Sequence, residues 1–292
     1  MWNEETGAMQ KKGSLLTSSF GLLALLLLSV YAIAAQETSI VAQANQYFPA
    51  HVSSVSIDDS EPPPMPLSPK AIIAAFLKSE VATREALNQH TFKRAVVLQT
   101  IGPNGQVTGE YIRNSQFLFD DRGNRIERVL YHPASTIREM RITREDIQDL
   151  AGAQLLGVDI AETGKYRLSY LGMEILDART AFIINVAPAT TPDAQQMKER
   201  YFVGRVWIDA NTFNVIRVKG VVEPQGKQRF PIFETSRSLV ADALVFPSLT
   251  TADQTLRFPA RDVHYRINVK YYDYQRFASK VTITEMDVPA AE

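Results

Sequence analysis

The sequence contains no cysteine, and this absence excludes several kinds of chemistry at once. Structural disulfides, thiolate zinc sites, iron–sulfur clusters and cysteine nucleophiles all need this residue. A bacterial lipoprotein also carries its own lipid on a cysteine. If this chain handles lipid, we therefore expect it to do so without a lipid anchor of its own.

The sequence also lacks an excess of either charge. Its 31 basic and 32 acidic residues leave a formal net charge of −1 at neutral pH. A chain-wide basic field, which would hold nucleic acid or an anionic membrane, is therefore missing. We predict no nucleic-acid partner, and a local basic patch is left open.

Catalytic and cofactor motifs are missing as well. The sequence has no Gly-x-Ser-x-Gly elbow, phosphate loop or dinucleotide fingerprint. No two histidines stand at metal-ligand spacing such as i, i+4 on a helix. The four are His51, His90, His132 and His264. We predict a non-enzymatic protein without metal or cofactor, and an unrecognised hydrolase remains an open alternative.

The charged residues that could form a site occur mostly where the local structure already explains them. Short carboxylates favour turns and helix starts, where they accept backbone hydrogen bonds. The acidic candidates are Asp120, Asp121, Glu145, Asp146, Asp209 and Asp273. The basic segment with Arg138, Arg141 and Arg144 could meet an anionic head group or an acidic partner, or form a solvated face.

The N-terminal segment has the three parts of a secretory signal peptide. Lys11 and Lys12 precede an apolar run from Leu15 to Ala35, which ends in the small residues Ala32-Ile33-Ala34-Ala35. We predict a signal peptide over residues 1–35 and a soluble, periplasmic or otherwise extracytoplasmic protein after cleavage. Because the run approaches spanning length, an uncleaved anchor is the alternative.

A proline-rich leader and then a helix should follow. Residues 36–67 are polar and contain four prolines between positions 62 and 66, which favours a flexible or extended leader. Ser68 is a good N-cap and Pro69 suits the first helical position. The helix should extend to Asn88, with an apolar stripe formed by Ile73, Phe76, Leu77, Val81 and Leu87.

From Phe92 onward the pattern predicts antiparallel strands separated by turns such as Gly102-Pro103-Asn104-Gly105. The predicted strands are Phe92–Ile101, Tyr111–Phe119, Arg125–Tyr131, Lys165–Leu176, Thr180–Val186, Tyr201–Asp209, Phe213–Val222, Ile232–Leu239, Ala243–Ala252, Val263–Phe277 and Lys280–Met286. A short helix should start at Thr143. Most neighbouring strands have no helix between them, so the pattern favours an antiparallel sheet over a parallel βαβ fold. The fold class is mainly β with a few helices.

Alternation in the late strand separates a buried from a wet face. Tyr265, Ile267, Val269 and Tyr271 alternate with polar residues. These four belong to a larger apolar set that could line a ligand cavity or simply form ordinary core. The other members are Phe182, Ile184, Phe202, Trp207, Phe213 and Phe246.

The pattern of strand and turn residues in the second half of the chain resembles that of a known family. It comprises Val206-Trp207-Ile208-Asp209, Val215-Ile216-Arg217-Val218, Phe233-Glu234-Thr235-Ser236, Leu244-Val245-Phe246-Pro247-Ser248 and Lys270-Tyr271-Tyr272-Asp273-Tyr274. With the preceding signal peptide and helix, this order resembles the outer-membrane lipoprotein-sorting (LolA/LolB-like) superfamily, which includes RseB-like periplasmic sensors. The resemblance covers about residues 70–287. We therefore expect a half-barrel domain over residues 68–288 and a tail over 289–292.

The resemblance implies a large curved antiparallel sheet, an unclosed β-barrel with a helix on its concave face. It also implies an apolar cavity for a lipid or a lipoprotein acyl chain. Each methylene group removed from water contributes about 0.8 kcal/mol, so an acyl chain needs a long apolar site. The proline-rich leader and the insertion near Pro188 to Arg200 depart from the family. A sensor or scaffold that binds an inner- or outer-membrane protein is the second reading.

Overall fold

The computed structural model describes residues 67–139, 142, 164–190, 201–224, 231–240, 244–258 and 261–277. The chain divides into two units, Met1–Gln46 and Tyr47–Glu292, and all of these residues belong to the second. The predicted signal peptide, nearly all of the leader, the helix at Thr143, the strand at Lys280 and the tail lie outside the described residues.

One helix, α1, spans Pro69–Leu87 and begins as the sequence predicts. Ser68 has extended backbone angles, and its Oγ accepts a hydrogen bond from the Ala71 N–H at 3.2 Å. This bond satisfies one of the free donors of the first turn, while Pro69 has no N–H to satisfy. At the other end, the Asn88 N–H donates to the Arg84 carbonyl at 2.9 Å.

The buried stripe of α1 differs from the predicted one. Its buried members are Ile72, Phe76, Glu80, Thr83 and Leu87. Of the predicted stripe, Ile73 and Leu77 are only half-buried and Val81 is exposed. Placing Val81 in the stripe was wrong because the buried face follows the positions of Phe76, Glu80, Thr83 and Leu87, and Val81 lies outside this face.

Ten strands make up the rest of the described chain. They are β1 (His90–Ile101), β2 (Val107–Phe119), β3 (Arg125–Tyr131), β4 (Tyr166–Leu176), β5 (Arg179–Pro188), β6 (Tyr201–Asp209), β7 (Val215–Glu223), β8 (Phe233–Leu239), β9 (Val245–Arg257) and β10 (Asp262–Arg276). The predicted strands agree with these within a few residues, except that β9 continues five residues further.

All ten strands belong to one sheet, in which every neighbouring pair is antiparallel. The order is β3-β2-β1-β10-β9-β8-β7-β6-β5-β4. The first strand thus pairs with the last. β3 and β4, which are consecutive in the chain, form the two opposite edges.

The sheet curves around α1 without closing. The helix contacts β1, β9 and β4, although a flat sheet would place β1 and β4 about 34 Å apart. Residues of the helix and of both halves of the sheet belong to one hydrophobic cluster. The described fold is therefore mainly β, an unclosed half-barrel with α1 on its concave face. This confirms the predicted fold class, with α1 as the one helix in the described ranges.

A glycine pair allows an aromatic ring to lie flat against the sheet. Gly204 on β6 is paired with Gly220 on β7, and a methyl group on either would overlap the Phe202 ring. No helix in the described ranges combines the length and the apolar character needed to cross a bilayer.

Candidate functional site: the concave face and its edges

The curved sheet brings nine of the ten predicted cavity residues to its concave side. They come from β5, β6, β9, β10 and the turn before β7, and they pack with Ile72 and Phe76 of α1 in one cluster. Its buried members include Phe182, Ile184, Phe202, Phe246, Tyr265, Ile267, Val269 and Tyr271, and Phe213 packs against them. Whether they hold a ligand or form only core stays a prediction.

Trp207 does not join the other nine. It packs with Ala181 and Ile216 in a separate cluster. Its neighbours Val206 and Ile208 lie in the main cluster, so strand alternation turns Trp207 to the convex face. There its Nε1–H donates to Glu174 Oε1 at 2.5 Å.

Phe213 reaches the concave side from a turn. The sequence predicts it at the start of a strand, which is wrong. Asp209 organises this turn, because its carbonyl accepts from the Phe213 N–H at 2.9 Å and its Oδ1 accepts from two further N–H groups. Phe213 has a left-handed φ of 58°. Its ring stacks on Phe182, with the centroids 6.1 Å apart.

The concave face is rich in aromatic rings at the junction of β1 and β10. Phe92 stacks on Phe117 with the centroids 4.6 Å apart and lies 6.3 Å from Tyr271. Tyr274 packs against Phe246 at 5.0 Å and donates its hydroxyl to the Pro247 carbonyl at 2.8 Å. Burial raises the pKa of both tyrosines, so these two hydroxyls stay neutral at physiological pH.

Apolar side chains of the concave face are exposed to solvent at both edges of the sheet. On β4, Met173 lies opposite Phe182 and is 51% exposed, and Ile175 lies opposite Thr180 and is 79% exposed. On β3, Val129 lies opposite Ser115 and is 42% exposed. Directly opposite residues share a face. The apolar concave surface therefore does not end where the core ends.

A charged group interrupts the apolar face near the β3 edge. Arg94 alternates with Phe92 and Val96 on β1, so its side chain points inward and is only 3% exposed. Its Nη2 lies 3.2 Å from Glu127 Oε1, and its guanidinium lies 4.7 Å from the Phe117 centroid. Its Nε is buried and has no hydrogen-bond partner among the residues that the structure describes.

Glu127 is shared between two guanidinium groups. Arg113 donates to both of its oxygens at 3.0 Å, and Ser115 donates to Oε1 at 2.6 Å. Partial burial raises the pKa of Glu127, but the hydrogen bonds from Arg113 and Ser115 and the charges of both arginines lower it overall to about 2. The group therefore holds two positive charges and one negative charge at neutral pH.

A third arginine connects β3 to the end of α1. Arg125 donates to the carbonyls of Leu87 at 2.6 Å and His90 at 2.9 Å, which are acceptors at and just beyond the last helical turn. Its guanidinium lies between the rings of Phe92 and Phe119. Burial lowers its pKa.

A buried ion pair fixes α1 to β8. Arg237 Nη1 lies 2.7 Å from Glu80 Oε1 and Nη2 lies 3.1 Å from Oε2. Burial raises the pKa of Glu80, and the facing guanidinium opposes this shift. Next to the pair, Ser79 donates to Asn214 Oδ1 at 2.7 Å. The helix is thus held by polar contacts as well as by its apolar stripe.

Sequence reasoning missed these charged groups, although each left a signal. Glu80 stands four residues after Phe76 and seven before Leu87, on the apolar stripe. Arg94 stands between Phe92 and Val96 in a strand whose alternate residues are buried. A charge at a core position predicts a buried partner, but its identity depends on the tertiary fold.

The remaining predicted site residues lie apart from this face. Asp120 accepts backbone hydrogen bonds within its turn from Arg122 and Asn124. Arg138 is exposed, and Arg141 and Arg144 lie outside the described residues. In the described part of the chain no three His, Asp or Glu side chains come together as metal ligands.

Comparison with known proteins gives structural neighbours only. No family model matches the chain. No curated protein matches it either. A DUF1329 family protein from Desulfovibrio piger is 13% identical with a TM-score of 0.35, covering 74% of this chain and 96% of its own.

Two further structural neighbours come from other bacteria. An outer membrane lipoprotein-sorting protein domain from Vibrio parahaemolyticus is 9% identical with a TM-score of 0.33, over 73% of this chain and 92% of its own. The Pseudomonas aeruginosa MucA/MucB complex contains a chain 11% identical with a TM-score of 0.20, over 71% and 100%. The lipoprotein-sorting type of protein that the sequence resembles is therefore among the structural neighbours of this chain.

Proposed function

We propose that this chain is an exported, non-enzymatic carrier that binds a lipid or a lipoprotein acyl chain against the concave face of its half-barrel. One observation carries the proposal. Met173, opposite the buried Phe182, extends the apolar concave surface beyond the core to solvent at the β4 edge, and Ile175 and Val129 expose further apolar side chains on this face at the two edge strands. Exposed apolar side chains that continue a buried apolar face are typical of a binding groove.

The inner part of the site is formed by the nine predicted residues that pack with α1. For an alkyl chain to lie among them, it must enter between α1 and the sheet from an edge. Each buried methylene group contributes about 0.8 kcal/mol to the free energy of binding. Burial of an alkyl chain of ordinary length therefore offsets the free-energy cost of a small displacement of the helix.

A second candidate is a scaffold or sensor that binds a membrane-protein partner through an edge strand. Among the described strands β4 pairs only with β5, so its other side is an edge of the described sheet, and Leu171 and Ile175 are exposed on it. An edge strand of this kind can accept a strand from a partner. Binding of a protein partner without any lipid would favour this candidate.

Two measurements test the proposed carrier function. One is binding of a neutral fluorescent apolar probe, N-phenylnaphthylamine, and the other is mass spectrometry of the lipid released when native protein is denatured. We expect Met173→Asp to weaken probe binding about tenfold, because it removes an apolar contact and introduces a charge. Ile267→Trp should fill space that the chain needs, so it should lose binding while its Tm stays within a few degrees of wild type.

The matched control is Ile126→Asp, which adds the same charge at a similarly exposed position on the convex face of the opposite edge strand. It should bind the probe like wild type. If wild type binds no probe and releases no lipid, and Ile267→Trp unfolds, the concave face is solid core. The carrier is then excluded in favour of the scaffold.

A further inference from the structure

On the concave face of β1–β3, the positive charges of three arginines outnumber the negative charge of one carboxylate. Arg94, Arg113 and Arg125 point to this side, and Glu127 is the one carboxylate there among the described residues of these three strands. A second carboxylate, Glu139, accepts a hydrogen bond from Thr100 at 3.1 Å. Thr100 is six residues beyond Arg94 along β1. A surplus of positive charge next to apolar walls is costly unless an anion offsets it.

Some hydrogen-bond donors of these arginines do not bond to Glu127. Among the described residues Arg94 Nε is buried without a partner, and of this guanidinium only Nη2 is seen to bond to the carboxylate. Arg113 keeps 18% of its side chain exposed, so the group opens toward solvent on the concave side. Guanidinium groups match the geometry of carboxylates and phosphates.

Apolar side chains begin directly beside these donors. Arg113 lies opposite Val96, which lies opposite Val269 on β10. The next row along the concave face is Leu98, Ile267 and Ala252. A molecule with an anionic head at Arg113 would therefore place its tail on apolar strands.

We propose that the ligand of the concave face is an anionic amphiphile whose carboxylate or phosphate group is held by Arg113 and Arg94. This inference rests on the proposed function and names the chemistry of the head group. Ser115, whose hydroxyl already donates to Glu127, completes the polar end of the site.

The test compares three amphiphiles with the same alkyl chain, dodecanoate, dodecyl phosphate and dodecanol, as competitors of the neutral probe. At least one of the two anions should displace the probe from wild type at a concentration at least about tenfold below that of the alcohol, because hydrogen bonds to charged groups are the stronger ones. Arg113→Gln should bring the preference within about threefold, and Arg113→Lys should keep part of it. Which anion is preferred identifies the head group.

Arg128→Gln is the matched control, because Arg128 bonds to Gln116 on the convex face of the same strand pair. It should keep the preference of wild type. Val129→Glu, at an exposed position next to the cluster, should reduce the preference without removing a buried contact, which covers the case in which Arg113→Gln does not fold. If wild type binds all three equally well, the anion site is refuted while the carrier stands. If it binds neither probe nor amphiphiles, the carrier itself fails.

Discussion

At the scale of single residues, Glu127 links the guanidinium cluster to stability in acid. Its folded pKa of about 2 lies below the ordinary value of about 4.3. A carboxyl group with a lowered folded pKa stabilises the fold fully above its unfolded pKa. That contribution is lost as the pH falls from about 4.3 through about 2.

We therefore predict that Glu127→Gln is less stable than wild type at pH ~7 and that this difference narrows steadily toward pH ~2. Urea unfolding midpoints at several pH values between these limits measure it. A difference that stays constant with pH would mean that Glu127 contributes through packing or neutral hydrogen bonds instead.

Alternation along a strand predicts single residues well where one face is wet and poorly where both faces are apolar. Tyr265, Ile267, Val269 and Tyr271 are buried as predicted, because polar residues alternate with them. Trp207 lies in a strand with buried residues on both faces, so its pattern does not tell concave from convex. The partners of Arg94 and Glu80 lie 33 and 157 residues away, beyond the reach of any local pattern.

At the scale of the element, the Glu80–Arg237 pair decides how firmly α1 is attached. Glu80→Gln should lower the free energy of unfolding by about 3–5 kcal/mol, because it leaves the Arg237 guanidinium buried without its counter-charge. Replacing both residues by leucine should recover most of the loss, since no charge is then buried. Urea unfolding of the variants measures this.

Glu85→Gln is the control for this pair, because Glu85 is an exposed carboxylate on the same helix. It should change the free energy of unfolding by less than about 0.5 kcal/mol. A loss for Glu80→Gln no larger than the control's would show that Arg237 finds another partner. The polar attachment of the helix would then be dispensable.

Elements with strong local signals were predicted closely. The cap at Ser68, the proline at the first helical position and the glycine turns mark the ends of α1, β1 and β2 within a few residues. The predicted start of β7 was too early. The turn organised by Asp209 holds Phe213 in a left-handed conformation, which a phenylalanine in the sequence does not predict. Turn chemistry that depends on a side chain several residues earlier is easily missed.

At the scale of the whole molecule, we predict from the N-terminal residues that the protein works outside the cytoplasmic membrane. The small residues at Ala32 to Ala35 predict cleavage near this point. N-terminal sequencing of protein from the producing cell should begin near Ala35 or Gln36. A chain that still begins at Met1 and fractionates with membranes would contradict the soluble model.

The arrangement of the sheet was only partly predictable. Short turns between strands indicate which neighbours pair, and β1–β3 and β4–β10 each follow chain order. The pairing of β1 with β10, which joins these two groups, has no local signal, because it depends on burying one continuous face around α1. The predicted half-barrel came from the family resemblance rather than from the strand pattern.

The β1–β10 pair has a consequence for the order in which the sheet can form during synthesis. His90 pairs with Arg276, so the hydrogen-bonded neighbour of β1 is made almost last. A chain that emerges from its N-terminus holds β1–β3 as an incomplete sheet, with the backbone of β1 unpaired on one side until the final strand arrives. Contacts this distant in sequence form slowly. An unpaired strand edge can pair with other chains, so protection by a chaperone is most useful in the interval before β10 is complete.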